Sequence, residues 1–311
     1  MTNHLLPLTF PRLRRGPLPL PDGERKTGHA IPVMTICGII LIAWYIAAVP
    51  MNAVVAEVKI NEAGGGLYNT LAISWNHQRP VLPTPHQIAG EIWNTVFLVA
   101  PWKVKSLVYH LWVTLSSTLL GFLLGTFLGI GLAIAIVHMK ILNRSLMPWI
   151  IASQAIPILA IAPMIIVVLG SMGLTGLIPK SLISMYLCFF PVTIGMVKGL
   201  TSPETMQLDL LRTYNASVSQ VLWKLRFPAS VPFLFASLKV AVAIALTGAI
   251  VGELPTGAQA GIGARMLTGS YYGQTQQIWA ALVAASAAAA CLVYMIGVTE
   301  RLVARAMGEH P

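Results

Sequence analysis

The chain has 311 residues, of which 56% are hydrophobic and 10% charged, with a net charge of +10 and a mean hydropathy of +0.74. Soluble domains carry about 25% charged residues, so this composition excludes a soluble enzyme and points to an all-α integral membrane protein. The basic excess lies in loops beside apolar runs, as membrane orientation requires, and not in a patch built for nucleic acid.

Residues 1–31 are rich in proline and arginine (Arg12, Arg14, Arg15, Arg25) and have no apolar period, so they read as a flexible N-terminal tail. The first apolar run, about 31–56, exceeds the ~7–15 residues of a signal-peptide core and reads as a retained membrane helix. Residues 57–106 form a long connection, so 32–106 is one unit of first helix plus connection. Within it IWNTVFLVA (92–100) is too short to span, and Trp75, Trp93 and Trp102 stand where an interfacial belt is expected.

Residues 107–305 hold five further spans. The second, about 108–137, carries Gly121, Gly125 and Gly129, a doubled small-xxx-small pattern for close helix approach rather than for a ligand. Thr114, Ser116, Ser117 and Thr118 are expected to face protein and not lipid. The third, about 145–169, contains Pro148, Pro157 and Pro163, with Ser153 and Gln154 just before Pro157. Broken backbone at membrane depth must be buried in protein or line a wet cavity, so this segment either borders a solute pathway or is a kinked packing helix. The fourth and fifth spans are about 181–197 and 231–252, and the alanine-rich sixth about 278–298, followed by a tail at 306–311. Lys239 lies inside the fifth span, where a cation either lines a pathway or snorkels to the surface; Glu253 ends the same span.

Thirteen of the twenty Lys and Arg fall on the side of the termini and six on the other, which predicts a cytoplasmic N-terminus and a cytoplasmic 198–228 segment. The three cysteines, Cys37, Cys188 and Cys291, lie in apolar segments and read as core residues. The sequence shows no metal-ligand spacing, no intramembrane carboxylate pair and no GxSxG elbow; GLTGLIPKS (173–181) has Pro179 where a phosphate loop needs glycine.

One polar island interrupts this pattern: Ser202–Pro228, SPETMQLDLLRTYNASVSQVLWKLRFP. Ser202-Pro203-Glu204 reads as a helix start, Asn215-Ala216 as a corner, Ser217 with Gln220 as a capping box and Pro228 as the stop. Met206, Leu208, Leu211 and Tyr214 supply apolar anchors, with Arg212, Lys224 and Arg226 at the rim. Such an element either docks in a partner's groove or rests on anionic lipid.

The island resembles the EAA loop of binding-protein-dependent ABC importer permeases, E-A-A-x3-G-x9-I-x-L-P. Asp209 stands for the acid, Leu210-Leu211 for the alanines and Asn215 for the glycine, with Leu225 and Phe227-Pro228 at the I and L-P positions. LPTP (82–85), HLWVTL (110–115), SQAIPILAIAP (153–163), FFPVTIGMVKGL (189–200) and VGEL (251–254) are similar to the nitrate/sulfonate/taurine-type branch. The resemblance implies a type I importer permease fold of about six transmembrane helices in the bacterial inner membrane. It also implies a second permease subunit (a copy or a paralogue), a cytoplasmic ABC ATPase dimer carrying the ATP and Mg²⁺, and an extracytoplasmic solute-binding protein. No cofactor is expected in this chain.

On that resemblance, Asp209, Leu211, Arg212, Asn215, Ala216, Ser217, Leu225, Phe227 and Pro228 couple to the ATPase. Ser153, Gln154, Pro157, Pro163, Thr247 and Glu253 belong to the translocation pathway. The branch carries oxyanions such as nitrate, sulfonates and taurine, and also heterocycles such as pyrimidine-type compounds and vitamin precursors; YNAS, GELPTG and GSYYGQT lean toward the latter. An ATP-independent carrier or a membrane-embedded enzyme would need intramembrane carboxylates, a nucleophile or a metal, which the sequence does not offer.

Overall fold

The computed structural model describes residues 30–255 and 260–308. Most of the tail expected over 1–31, the middle of the 254–260 loop and residues 309–311 therefore fall outside the described residues. Every described element is helical: α1 (Ala30–Glu62), α2 (Leu67–Trp75), α3 (Pro85–Trp93), a π turn at Asn94–Leu98, α4 (Leu107–His138), α5 (Lys140–Ser153) and α6 (Ile158–Ser171). The remainder are α7 (Leu177–Leu200), α8 (Thr205–Thr213), α9 (Val218–Val221), a π turn at Leu222–Arg226, α10 (Phe227–Glu253), α11 (Ile262–Tyr271) and α12 (Thr275–Ala306). Among them, five stretches are long and apolar enough to cross a membrane, and α5 with α6 makes a sixth only as a pair.

The bundle is built on α7, which lies between α4 and α10. Small residues set both contacts. A Cβ added at Gly121 would stand 2.4 Å from Ser184 Cβ, and one at Gly125 2.2 Å from Cys188 Sγ, so α4 touches α7 nearly backbone to backbone. On the other side Gly195 meets Ser237, Gly199 meets Ser230 and Gly248 meets Ser184. The packing role expected of the α4 glycines is thus the observed one. Val192, Met196, Ala241 and Ala245 fill the space between these contacts and are fully buried.

The third span differs from a continuous helix. α5 and α6 meet at 97° across residues 154–157. Pro157 has no N–H to give the helix and pushes Ile156 out of helical space, so the chain turns there. Each arm has 14 residues, about 21 Å, too short to cross a ~30 Å hydrocarbon core alone. Pro148 and Pro163 sit inside the arms without breaking them.

α1 runs six residues beyond the expected end of the first span, and the connection after it is partly helical. α1 is apolar on all sides and largely exposed, as a lipid-facing helix is. Asn52, fully buried, anchors it: Nδ2 donates to the carbonyls of Ser74 and Leu82 and Oδ1 accepts from Leu82 N–H. Trp93 and Trp102 are exposed as an interfacial belt requires, but Trp75 is half-buried because its Nε1 donates to Tyr45 O.

Lys239 does not stand alone at membrane depth. It forms an ion pair with Glu300 on α12, and both side chains are about one-third exposed. The sixth span continues past the expected 298 to Ala306, which brings Glu300 within reach.

Candidate functional site

Among the described residues, three places hold the polar side chains that the sequence marks as functional candidates. The first is the 202–228 island, at the end of the bundle where α7 finishes and α10 begins. Here the helix starts later than expected. Ser202 Oγ donates back to Gly199 O at 2.7 Å, satisfying an orphan carbonyl of α7, and the N-cap of α8 is Glu204, whose N–H is accepted by Gln207 Oε1 at 3.2 Å. Asn215 makes the corner with φ +50°, the one non-glycine residue with positive φ among the described residues. Asparagine tolerates this left-handed conformation, so it serves where the EAA pattern has glycine. Ser217 and Gln220 then close the expected capping box, Ser217 N–H to Gln220 Oε1 at 2.8 Å and Gln220 N–H to Ser217 Oγ at 3.3 Å.

Pro228 does not stop the second arm. It sits where the π turn passes into α10, a widened turn that accommodates its ring and missing N–H, and the chain from Val218 runs through that turn to Glu253 as one 36-residue stretch. That arm is rooted: Leu222 is buried, and Arg226 Nη1 donates to Leu200 O at the end of α7. α8 is not rooted, since none of its residues is buried. Its outward apolar stripe is Met206, Leu210 and Tyr214, at 80%, 58% and 78% exposure, continued by Val218 and Trp223. The expected anchors Leu208 and Leu211 are instead half-buried on the other side. Asp209 and Arg212 pair with each other at 3.0 Å on the exposed surface.

The second place is the α5–α6 break. Ser153 and Gln154 lie together there, half-buried, and Tyr186 on α7 donates its hydroxyl to Ser153 O. Pro157 and Pro163 are exposed, as is Thr247 on α10, whose hydroxyl donates to Ala243 O.

The third lies at the opposite end of the bundle and centres on Glu253, which has no exposed surface. Lys180 Nζ lies 3.4 Å from its Oε1, Gly263 N–H donates to Oε2 at 2.9 Å, and the Thr114 hydroxyl is 2.9 and 3.0 Å from its two oxygens. Thr114 also accepts from Ile262 N–H at 2.8 Å, and Lys180 donates to Ala260 O at 2.8 Å. His110 completes the cluster as a neutral ring: Nε2–H donates to Val104 O and Nδ1 accepts from Gly261 N–H. Gly261, with φ +130°, is the residue this turn requires, because a Cβ there would lie 2.1 Å from the Glu253 carboxyl carbon. Beside it Arg265 is buried and paired with Glu91 at 3.3 Å; burial pulls its guanidinium below the ordinary value and Glu91 pulls it back up.

Glu253 therefore ties α4, α7 and α10 to the 260–263 turn and does not open onto a cavity. A cavity of about 670 Å³ does lie against this cluster, between the ends of α4, α6, α7 and α10, with Trp112, Ser116, Gly170, Lys180 and Gly252 in its wall. The structure brings Ser153, Gln154 and Pro157 together at the break and places Thr247 on an open face, but leaves Glu253 in the scaffold. Sequence reasoning missed Lys180 and Thr114 as its partners and His110 as a support of the adjoining turn, though VGEL and HLWVTL held two sides of the cluster. Lys180 carries no mark in the sequence beyond its place in GLTGLIPKS.

A family model described as "Binding-protein-dependent transport system inner membrane component" matches residues 121–308. The chain belongs to this family of ABC importer permeases. The permease is 32% identical over 216 residues to a probable ABC transporter permease protein of Haemophilus influenzae, covering 70% of this chain and 83% of that one. It is 31% identical over 225 residues to a riboflavin transport system permease protein of Chloroflexus aurantiacus, covering 72% and 80% respectively. With a formylaminopyrimidine transport permease protein of Halalkalibacterium halodurans it shares 32% over 192 residues, 60% of this permease and 72% of the relative. A putative aliphatic sulfonates transport permease protein of Bacillus subtilis is 27% identical over 205 residues, 65% and 70% of the two chains. The permease is thus a membrane subunit for the import of small solutes.

Proposed function

We propose that this permease is driven by an ABC ATPase dimer on separate chains, which holds the ATP and Mg²⁺ and docks on the 202–228 element from the cytoplasm. One observation carries this reading: α8 projects an exposed Met206–Leu210–Tyr214 stripe from a capped corner, and the corner's other arm is continuous with α10. A stripe resting on lipid needs no rigid link to the core. A lever does. Movement of the docked ATPases would tilt α10, and through the glycine contacts on either side of α7 would carry α7 and α4 with it. Two such subunits, copies or paralogues, would then rock against each other and open the pathway alternately to each side.

On this reading the N-terminus and the corner are cytoplasmic, and the 670 Å³ cavity faces the solute-binding protein. Ser153, Gln154 and Thr247 line the route, and the broken α5–α6 pair supplies its irregular wall. For the solute we infer a neutral heterocycle of the pyrimidine or vitamin-precursor kind. Identity to the riboflavin and formylaminopyrimidine permeases, 31% and 32%, exceeds the 27% to the sulfonate permease. Lys180 and Lys239 are both ion-paired, so neither offers a free cation to an anion at depth. Purification of the tagged chain in mild detergent tests the assembly: an ABC ATPase should co-purify, and its consistent absence would overturn the proposal.

A further inference from the structure

In an uninterrupted helix Ser153 O would accept from the N–H four residues on, but that residue is Pro157, which has none. The two polar side chains at the break are engaged elsewhere. Ser153 Oγ donates to Ile150 O at 2.7 Å, and Gln154 Nε2 lies 3.4 Å from Ser153 Oγ. Among the described residues, no N–H of a turn, loop or cap bonds to Ser153 O. Its partner is the hydroxyl of Tyr186 on α7, 33 positions along the chain. A carbonyl freed by proline at membrane depth needs a donor from a neighbouring helix, and Tyr186 supplies it.

The two arms of the broken span are lightly held. α5 packs on α4 and buries one residue, Ile150; α6 packs on α7 and α10 and buries one, Ala162. The arms thus rest on different helices, and the hydroxyl of Tyr186 ties the corner between them to α7. The Tyr186 ring is itself seated, half-buried in the cluster of Ile136, Ile150 and Phe189, with its centroid 6.2 Å from that of the Phe189 ring. Its hydroxyl is therefore a donor carried by α7 and not by a freely swinging side chain. We propose that Tyr186 is a positioning residue for the translocation route. Its hydroxyl stands in for the missing Pro157 N–H, pins the corner of the broken span to α7, and carries movement of α7 into the wall that holds Ser153 and Gln154. The link to transport rests on the route and lever proposed above; the pin is a property of this chain alone.

The test uses the full chain in lipid nanodiscs, diluted with unlabelled chain, and measures the angle of the arms by pulsed electron–electron double resonance. Spin labels go on Ile141→Cys in α5 and Val167→Cys in α6, both native side chains being at least 70% exposed, with the exposed Cys37 and Cys291 replaced by serine. Arms near a right angle put the labels ~28 Å apart, and a straight helix would put them ~39 Å apart. Tyr186→Phe keeps the packed ring and deletes the donor, so the population outside the native peak should rise about fivefold, as the loss of one ordinary hydrogen bond allows. Pro157→Ala returns an N–H to Ser153 O and should move the distribution toward ~39 Å. Adding Tyr186→Phe to that chain should change nothing further. A Tyr186→Phe distribution identical to the native one, or an equal effect of Tyr186→Phe in the Pro157→Ala chain, would overturn the proposal. No solute enters this measurement, so a failed pin is told apart from a wrong route, which the transport kinetics of Gln154→Leu report alone.

Discussion

Lys180 on α7 and Glu253 on α10 meet with Nζ 3.4 Å from Oε1, and both are almost completely removed from solvent, at 7% and 0% exposure. The pair closes the end of the α7–α10 contact, and Lys180 also donates to Ala260 O. Removing one member of a buried pair leaves an uncompensated charge, at a cost of about 3–5 kcal/mol. Lys180→Met should therefore lower the thermal midpoint of the purified protein sharply. The double substitution Lys180→Met with Glu253→Gln should recover much of the loss. A single substitution as mild as the double would show that the pair is not coupled.

The α4–α7 seam yields a contrast within one helix. Gly125→Leu forces a side chain into the position of Cys188 Sγ, 2.2 Å from the new Cβ, and overpacking of this kind costs about 1–3 kcal/mol or more. Gly131, on the same helix, has nothing within 4 Å, so Gly131→Ala should leave the melting temperature unchanged or raise it slightly. Thermal unfolding followed by circular dichroism in detergent distinguishes the two.

The spans, the seam and the corner were legible because each leaves a local mark in the sequence: an apolar run, glycines four apart, an asparagine before a Ser-x-x-Gln box. What was not legible depended on pairing across the fold. Glu253 looked like a polar group at membrane depth, and only the approach of Lys180, 73 positions away, and Thr114, 139 away, makes it a scaffold residue. Lys239 looked unpaired until α12 was seen to extend to Glu300. Pro228 looked like a stop, yet it follows a π turn whose widened backbone accommodates it, so the second arm runs on into α10. The 97° bend was signalled by Pro157, but Pro148 and Pro163 carry the same residue type without a break, so the sequence named three candidates for one event.

The corner depends on a left-handed residue. Asn215→Gly should preserve uptake, since glycine takes φ +50° freely. Asn215→Val should disfavour the turn by about 1–2 kcal/mol or more and reduce solute-stimulated uptake in proteoliposomes. Equal uptake by both variants would show that the corner's geometry is not used.

The pathway assignment makes its own demand. Gln154→Leu and Thr247→Val alter polarity at the break and on an open face of α10 without touching a buried bond to another helix. They should change the KM or rate of uptake while ATP hydrolysis by the assembled transporter continues. Transport kinetics identical to those of the unsubstituted protein would remove both residues from the route.

The central claim is that the Met206–Leu210–Tyr214 stripe carries the force of an ATPase into the bundle. The direct measurement is binding-protein-stimulated ATP hydrolysis by the reconstituted transporter, comparing the native chain with Met206→Asp and Tyr214→Asp. Both side chains are at least 78% exposed in the isolated chain, so neither change should impair folding or insertion. The account predicts that stimulation is lost while the permease remains folded in the membrane. Full stimulation by both variants would contradict it.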